Sequence, residues 1–307
     1  MKAAVFDTYA GPVEIADVPP PVLEPDAVLI DVHAASINPI DNIVRAGHLK
    51  DMISLTFPHV LGYDVSGVIT AVGDEVSGFD VGDEVFARVH QEDAGTLAEV
   101  ARVKASALAQ KPSVISHLEA ATIPLTGLTA WQALVEKAGL QAGQKVLIHA
   151  GSGGVGTLAI QIAKSLGAFV ATTVSARNAE LVSSLGADLV IDYKSEDFTQ
   201  IATDYDVVVD MLGGEVMQDS FKVLNKGGHL VSIKGQDTEG LADEYGVSFN
   251  SFFMEPNGSQ LAHLAEMIEQ GSLKPVIDST FSLQDAARAY DKLADGHTVG
   301  KIGITVK

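Results

Sequence analysis

Residues 145–167 read KVLIHAGSGGVGTLAIQIAKSLG. The stretch opens with the apolar run KVLI, passes through a glycine-rich segment and continues with apolar residues three and four positions apart until Gly167. A short unbroken apolar run is typical of a strand buried on both faces, and the later spacing is typical of an amphipathic helix. The stretch therefore predicts a strand, a tight turn and a helix that ends at Gly167.

The predicted turn has glycines at positions 151, 153 and 156, which satisfy the pattern G-x-G-x-x-G. Where this pattern joins a strand to a helix, the glycines let the backbone approach a pyrophosphate at the helix N-terminus. We therefore expect a dinucleotide to bind here, with contacts from Gly151, Ser152, Gly153, Gly154, Val155 and Gly156. The alternative is a glycine-rich turn that only packs the helix against the strand.

Strands and helices alternate on the C-terminal side of this motif. Short apolar runs recur, with helical segments between them, at 145–150, 169–174, 189–193, 206–211 and 229–234. Such alternation predicts an α/β domain with a doubly wound parallel sheet, which we place at residues 121–271.

The end of the second predicted strand bears on the choice of cofactor. NAD-binding proteins of this kind carry Asp or Glu there, about 20 residues after the glycines, to bind the ribose 2′-hydroxyl. This chain reads TTVSARN at 172–178, so Thr173, Ser175 and Arg177 supply hydroxyls and a guanidinium instead. These groups suit a 2′-phosphate, and we expect NADPH to be the cofactor. The alternative for Arg177 is a solvated residue in the first turn of the next helix.

The N-terminal part of the chain has a different pattern. Short strands, of which 27–34 and 65–72 are the clearest, are separated by turn residues, and helical periodicity is scarce. Closely spaced turn signals at Gly73, Gly78 and Gly82 are typical of a sheet that bends into a barrel. We therefore expect an all-β domain at residues 1–120, completed by about 272–307.

Composition excludes several classes of function. Twenty Lys and Arg against forty Asp and Glu give a net charge of −20, which disfavours binding to nucleic acids and anionic membranes. The chain has no cysteine, so disulfides and thiolate chemistry are excluded and redox chemistry requires a bound cofactor. We see no signal peptide and no apolar stretch near the roughly 20 residues that span a bilayer, and we expect a cytoplasmic protein.

Together these features resemble the medium-chain dehydrogenase/reductase superfamily and, within it, the zinc-free quinone oxidoreductase or zeta-crystallin-like branch. The resemblance covers nearly the whole chain. It rests on SINPIDN (36–42), LGYDVSGVITAVG (61–73), PLTGLTAWQAL (124–134), GSGGVG (151–156), LNKGGHLVSI (224–233) and GKIGITV (300–306). It implies a GroES-like β-barrel domain, a Rossmann domain, an active site in the cleft between them and assembly as a homodimer.

The resemblance also implies that no metal is bound. Zinc-dependent members of the superfamily have Cys where this chain has Asn38, and Gly-His-Glu where it has Gly62, Tyr63 and Asp64. Zinc normally polarises a carbonyl and stabilises the developing alkoxide, so a saturated ketone becomes a poor substrate without it. Quinones and conjugated enones spread the charge of an incoming hydride into a phenolate or enolate, for which hydrogen bonds suffice.

These considerations predict an NADPH-dependent quinone oxidoreductase that transfers hydride directly. The first alternative is an NADPH-dependent reductase of enone or enal double bonds, which the apolar Ile43 and Leu49 after the SINPIDN segment keep open. An alternative of another class is a noncatalytic NADPH-binding protein, either a sensor or crystallin-like.

The resemblance places three candidate catalytic residues near the nicotinamide: Asn38, Asp41 and Tyr63. Asn38 would hydrogen-bond a substrate oxygen. The alternative for Asn38 and Asp41 is a turn in which they bond the backbone, and the two roles are compatible. Tyr63 would donate its phenol to the substrate or pack in the barrel.

Further cofactor contacts are implied by the same resemblance. One of them lies in the TGLT segment, which lines the nicotinamide half of the cofactor site, and the others follow the later strands of the parallel sheet. The alternative for TGLT is a helix cap. These residues are Thr126, Tyr193, Leu212, Ile233, Lys234, Phe252 and Phe253. For the two phenylalanines, the alternative is core packing.

Overall fold

A computed structural model describes residues 1–91, 93, 95–237 and 239–307. The chain divides into two compact units. The barrel unit comprises Met1–Leu128 and Glu255–Lys307, and the parallel-sheet unit comprises Thr129–Met254.

The described residues form strands and helices in the following order. The strands are β1 (Lys2–Phe6), β2 (Glu14–Asp17), β3 (Ala27–Ile37), β4 (His59–Val60), β5 (Asp64–Val72), β6 (Glu84–Arg88), β7 (Val100–Lys104), β8 (Leu108–Gln110), β9 (Lys145–Ile148), β10 (Phe169–Val174), β11 (Leu189–Asp192), β12 (Tyr205–Asp210), β13 (Leu224–Ser232), β14 (Ser248–Ser251), β15 (Ile277–Ser282) and β16 (Lys301–Thr305). The helices are α1 (Pro39–Arg45), α2 (His117–Ala121), α3 (Pro124–Trp131), α4 (Gly154–Ser165), α5 (Ala179–Ser184), α6 (Phe198–Ile201), α7 (Gly214–Ser220), α8 (Leu241–Tyr245), α9 (Gly258–Glu269) and α10 (Ala286–Ala294).

The barrel unit is built mainly from antiparallel strands. Its larger sheet has the order β15-β16-β3-β5-β6-β8, with β7 also paired to β3, and a three-stranded sheet has the order β2-β1-β4. Val28, Ile30 and Val32 alternate along β3 and are fully buried, as expected for a strand with one face on a core. The C-terminal strand β16 pairs antiparallel with β3. The first and last parts of the chain therefore share one sheet.

The limits of the barrel unit differ from the sequence expectation, which assigned residues 121–271 to the dinucleotide-binding domain. The contacts of the structure group 121–128 and 255–271 with the barrel unit instead. Helix α9 packs on β8, and a Cβ added at Gly258 would lie 2.4 Å from the carbonyl oxygen of Leu108. Sequence periodicity identifies such a helix but does not say which sheet it covers.

The parallel-sheet unit confirms the predicted fold class. Its six strands are all parallel and have the order β11-β10-β9-β12-β13-β14, which is the Rossmann order of dinucleotide-binding folds. Val207, Val208 and Val209 of the central strand β12 are fully buried, which explains the unbroken apolar run. Strand β13 begins at Leu224, earlier than the predicted residue 229. No helix in the described part of the chain is both long and apolar enough to cross a membrane.

Candidate functional site

The glycine-rich turn lies between β9 and α4, as predicted. Gly153 is the N-cap of α4, a helix of 12 residues. A Cβ at Gly151 would lie 1.9 Å from Thr172 Oγ1, and one at Gly156 would lie 2.4 Å from the carbonyl oxygen of Ala150. At Gly153 an added Cβ meets only the Ala150 oxygen, at 3.3 Å. The outer glycines are therefore required for close packing, whereas a side chain at Gly153 would meet only one backbone oxygen.

This turn fits the pyrophosphate of a dinucleotide. The first N–H groups of a helix have no partner within the helix, and they attract negative charge. Gly154 and Val155 form the first turn of α4, and Ser152 precedes its N-cap. Ser152 Oγ accepts a hydrogen bond from Asn178 Nδ2 at 2.9 Å, which ties the turn to the segment after β10.

The segment after β10 carries the residues predicted to bind a 2′-phosphate. Arg177 is exposed and forms no ion pair with any described residue, so its guanidinium is available. Ser175 is buried and begins a short 3-10 turn. Tyr193 is 61% exposed and follows β11, which pairs with β10 so that Val174 lies opposite Asp192. Arg177 and Tyr193 therefore follow the ends of neighbouring strands.

Thr173 has an internal role instead. Its Oγ1 lies 3.0 Å from His149 Nδ1 and accepts a hydrogen bond from the Ala150 N–H at 3.3 Å. His149 Nε2 lies 3.0 Å from Ser220 Oγ, whose own proton is donated to the Val216 carbonyl oxygen. His149 is therefore the Nε2–H tautomer, and its Nδ1 accepts from Thr173. Burial lowers the pKa of His149 to about 4, so the ring is neutral at pH 7.

A buried carboxylate organises the loops after β12 and β13. Asp210 accepts hydrogen bonds from the N–H groups of Leu212 and Gly213, each at 3.0 Å, and from Ser232 Oγ at 2.6 Å. Ser232 Oγ in turn accepts from the Lys234 N–H at 3.1 Å. Asp210 thus fixes the segments that hold Leu212, which is half exposed, and the neighbouring Ile233 and Lys234.

Two predicted aromatic contacts follow the edge strand β14. Phe252 is half-buried, and its ring centroid lies 5.7 Å from Lys137 Nζ, whereas Phe253 is 65% exposed. Phe253 is therefore not a core residue. Thr126, in the barrel unit, is buried within α3, and its hydroxyl donates to the Thr122 carbonyl oxygen at 3.1 Å. It is not the cap of that helix.

The barrel unit contains a buried polar cluster that strand register brings together. Ile302 of β16 lies opposite Ile37 of β3, which places Lys301 beside Asn38. Ser36 lies opposite Asp64 of β5. Residues 36 and 38 are two apart and share a face of the strand. We call Ser36, Asn38, Asp64 and Lys301 the barrel cluster.

Hydrogen bonds connect every member of the barrel cluster. Asp64 Oδ2 accepts from Ser36 Oγ at 2.9 Å, from Asn38 Nδ2 at 2.8 Å and from Lys301 Nζ at 3.4 Å. Lys301 Nζ also donates to Asn38 Oδ1 and to the Ile37 carbonyl oxygen. Burial lowers the pKa of Lys301, and the carboxylates of Asp64 and Asp41 oppose this shift.

Asp41 lies beside this cluster at the start of α1. Its Oδ2 accepts from the Asn38 N–H at 2.8 Å and from Tyr290 OH at 3.3 Å. Its Oδ1 is buried without a hydrogen-bond partner among the described residues. Burial raises the pKa of Asp41 to about 7. The predicted backbone contact is therefore present, together with a carboxyl group that holds a proton far more readily than usual.

Tyr63 is buried and packs in the barrel core. The Arg88 guanidinium lies 5.0 Å from the centroid of its ring. Burial raises the pKa of Tyr63 to about 12, so its phenol stays protonated at neutral pH. This environment agrees with the packing alternative.

The residues of this region do not form a zinc site. Asn38 and Tyr63 present an amide and a protonated phenol, and Asp64 is already bonded to an ammonium. Zinc in proteins is bound by thiolate, imidazole or carboxylate ligands. Within residues 1–91, 93, 95–237 and 239–307, no three such side chains converge on a point that could hold a metal ion.

Sequence reasoning missed Lys301, Tyr290, Asp210 and His149 as parts of these networks. The indication in the sequence that Lys301 is part of a buried site was weak, namely a charged residue at the start of the apolar strand KIGIT, directly after Gly300. The signal for Asp210 was an acid at the end of the apolar run VVVD, where ligands of parallel sheets bind.

Comparison with known proteins agrees with this architecture. A family model described as "Alcohol dehydrogenase GroES-like domain" matches residues 24–113, and one described as "Zinc-binding dehydrogenase" matches residues 185–303. The chain is 39% identical to 2-methylene-furan-3-one reductase of Solanum lycopersicum, over 99% of this chain and 79% of that protein. It is 38% identical to the chloroplastic NADPH-dependent alkenal/one oxidoreductase of Arabidopsis thaliana, over 98% and 78%.

A solved structure is similar over the full length. The quinone oxidoreductase from Coxiella burnetii superposes with a TM-score of 0.91 at 36% identity, covering 100% of this chain and 99% of that one.

Proposed function

Because this chain belongs to the medium-chain dehydrogenase/reductase family, in its quinone oxidoreductase branch, we propose that it reduces quinones with NADPH by direct hydride transfer without zinc. The chain is an oxidoreductase that uses a nicotinamide cofactor. The proposal rests on one observation above all: β10 and the residues that directly follow it, up to Asn178, include no Asp or Glu, and the exposed Arg177 there forms no ion pair with a described residue.

The choice of NADPH follows from the chemistry of that edge. A 2′-phosphate carries negative charge and several acceptor oxygens, which match a guanidinium. An NAD-binding edge would instead carry an acid for the ribose hydroxyls, and that acid would repel the phosphate. Ser175 and Tyr193, which follow the ends of the neighbouring strands β10 and β11, would supply further hydroxyl groups to the phosphate.

The choice of acceptor follows from the barrel cluster. Bound NADPH would supply the hydride, and the protein must then stabilise negative charge on the acceptor oxygen. A buried N–H donor such as that of Asn38 suits a delocalised phenolate or enolate, whereas a localised alkoxide calls for a metal. The proton that completes the reduction comes from solvent or from a group still to be identified.

The cofactor assignment is tested with Arg177→Ala. We expect the Kd for NADPH, measured by quenching of protein or cofactor fluorescence, to rise roughly tenfold or more, since a hydrogen bond to a charged group contributes about 1.5–3 kcal/mol. The Kd for NADH should not change. Arg288→Ala removes an exposed guanidinium in the barrel unit and is the control. Equal loss for both cofactors would contradict the assignment.

A second candidate function is reduction of enone or enal double bonds. The chain is 39% and 38% identical to two relatives whose names specify furanone and alkenal/one substrates. Its identity to the Coxiella burnetii quinone oxidoreductase is lower, at 36%, and this difference favours the second candidate. Both reactions place the negative charge on an oxygen conjugated to the reacting carbon, so the same donor serves both.

Steady-state turnover ranks the two candidates. NADPH oxidation is measured with a benzoquinone and with a small enone at equal concentrations, and the product of the enone reaction is identified by NMR as the saturated carbonyl compound. A higher kcat/KM for the quinone supports the proposal, and a higher value for the enone supports the second candidate. Tight NADPH binding without oxidation across a broad panel of acceptors would contradict both and favour a noncatalytic role.

A further inference from the structure

We propose that Lys301 is a positioning residue, which fixes the side-chain amide of Asn38 so that it presents N–H rather than C=O to the acceptor. The inference rests on the proposed function, in which Asn38 stabilises the acceptor oxygen. It adds a residue that lies 263 positions away in sequence and reaches Asn38 only through the pairing of β16 with β3.

The chemistry of the neighbours permits one orientation of the amide. A Lys ammonium only donates hydrogen bonds, and an ionised carboxylate only accepts them. Asn38 Oδ1 faces Lys301 Nζ, and Asn38 Nδ2 donates to Asp64 Oδ2 at 2.8 Å. Rotating the amide by half a turn would place N–H against ammonium and oxygen against carboxylate. Both contacts would then be repulsive in a buried site.

The two neighbours are themselves held in place. Lys301 is 6% exposed, and its Nζ donates to the Ile37 carbonyl oxygen at 2.9 Å. Asp64 is fully buried, and its Oδ1 accepts from the Leu125 N–H at 2.8 Å. Because each partner is anchored by groups other than Asn38, the orientation of the amide is set before any ligand binds.

The position of Asn38 in the chain supports the same conclusion. Asn38 is the N-cap of α1, where an Asn side chain commonly accepts a hydrogen bond from the helix. Asn38 forms a capping box with Asp41 in the first turn of α1, and its two polar side-chain atoms also face Asp64 and Lys301. One of the two N–H groups on Nδ2 is used by Asp64, so the other is the group left for the acceptor. A fixed donor of this kind stabilises developing negative charge without reorganising during the reaction.

The test is a double-mutant cycle on hydride transfer. Lys301→Met replaces the ammonium with an apolar chain of similar length, and Asn38→Ala removes the amide. We expect each variant to lower kcat by about 100-fold, the effect of losing one preorganised donor, while the Kd for NADPH is unchanged. The double variant should lose no more than either single variant, because Lys301 acts through Asn38.

Two further variants keep the test decisive. Lys292→Met removes a partly exposed lysine that pairs with Asp278 in the same unit, and it should retain wild-type kcat. If Lys301→Met does not fold, the cycle is repeated with the paired change Lys301→Met/Asp64→Asn in place of Lys301→Met, because the pair removes both buried charges together. Multiplicative losses in the cycle, or a kcat that Lys301→Met leaves intact, would overturn the proposal.

A readout without turnover separates this inference from the proposed function. The side-chain amide of Asn38 is assigned in the ¹⁵N–¹H NMR spectrum by its disappearance in Asn38→Ala. In Lys301→Met its two proton shifts should move towards each other and its hydrogen exchange should accelerate, because the amide is free to rotate. An unchanged signal overturns the positioning role. Failure of the wild-type protein to oxidise NADPH with any acceptor overturns the proposed function alone.

Discussion

The glycine-rich turn and the barrel cluster are built in opposite ways. The turn is made of consecutive residues between β9 and α4, and its shape depends on the absence of side chains at Gly151 and Gly156. The barrel cluster is made of side chains from β3, β5 and β16, and its shape depends on buried charges that satisfy one another. Main-chain sites are therefore encoded locally, whereas side-chain clusters are encoded by strand pairing.

Each unit also contains a buried titratable group whose pKa is shifted. Asp41 of the barrel unit is an acid whose pKa is raised, and His149 of the parallel-sheet unit is a base whose pKa is lowered. Both shifts favour the neutral form, because burial penalises charge. Their effects on stability nevertheless have opposite slopes with pH, so that in the whole protein they largely cancel between about pH 4 and pH 6.5.

The largest effect is expected for Asp41→Asn. In the wild type, folding holds a proton on Asp41 between its usual pKa of 3.8 and its folded value of about 7, so this group favours folding at low pH and the benefit is lost as pH rises. The free energy of unfolding of the variant should therefore gain on the wild type by up to about 4 kcal/mol between pH 4 and pH 8.

Urea unfolding monitored by circular dichroism at several pH values measures this difference. Asp295→Asn replaces an exposed carboxylate in the same unit and should change stability by less than about 0.5 kcal/mol. A difference between Asp41→Asn and wild type that stays constant with pH would show that the pKa of Asp41 is the same in the folded and unfolded states.

A smaller effect of opposite slope is expected for His149. Its folded pKa of about 4 lies below the usual 6.5, so the stability it contributes is present above pH 6.5 and is lost as pH falls towards 4. Protonation of Nδ1 would also break the hydrogen bond from Thr173. The contribution of His149 to the free energy of unfolding should fall by about 3 kcal/mol over this range, and His149→Gln should lack this contribution.

The single Trp, Trp131, lies in the parallel-sheet unit, so its fluorescence reports unfolding of that unit. His263→Gln, at an exposed position on α9 of the barrel unit, is the control and should follow the wild type in this signal. Equal pH slopes for His149→Gln and wild type would refute the assignment of the acid sensitivity to His149.

The smallest effect concerns the glycines of the turn. Gly156→Ala forces a Cβ to 2.4 Å from the Ala150 carbonyl oxygen, and we expect a loss of about 1–3 kcal/mol in stability, as for other overpacked positions. Gly153→Ala is the matched control, because its Cβ would lie 3.3 Å from the same oxygen at an ordinary φ of −79°. It should retain the fold and lower only the affinity for NADPH.

Thermal unfolding and NADPH titration separate these outcomes. Equal destabilisation by the two substitutions would mean that the turn is constrained along its whole length, with no space reserved for a ligand.

The sequence by itself determined the two fold classes, the strand–turn–helix unit and the position of the glycine-rich turn. These features are periodic or local: alternating burial, apolar runs and glycine spacing act over a few neighbouring residues, and their physical causes are steric. The sequence also identified Asn38, Asp41 and Arg177 as candidate site residues. Asn38 and Asp41 lie in the SINPIDN segment, and Arg177 follows the second strand of the parallel sheet.

Only the tertiary structure decided what those residues contact. Lys301 meets Asn38 because β16 pairs with β3 in one register, and a shift by a single residue would turn Lys301 to the other face of the sheet. Tyr290 reaches Asp41 across 249 positions in the chain. Such contacts depend on how segments that are distant in the sequence pack together. Burial in the folded protein then shifts the pKa values of Asp41, His149 and Lys301, and no local sequence pattern predicts these shifts.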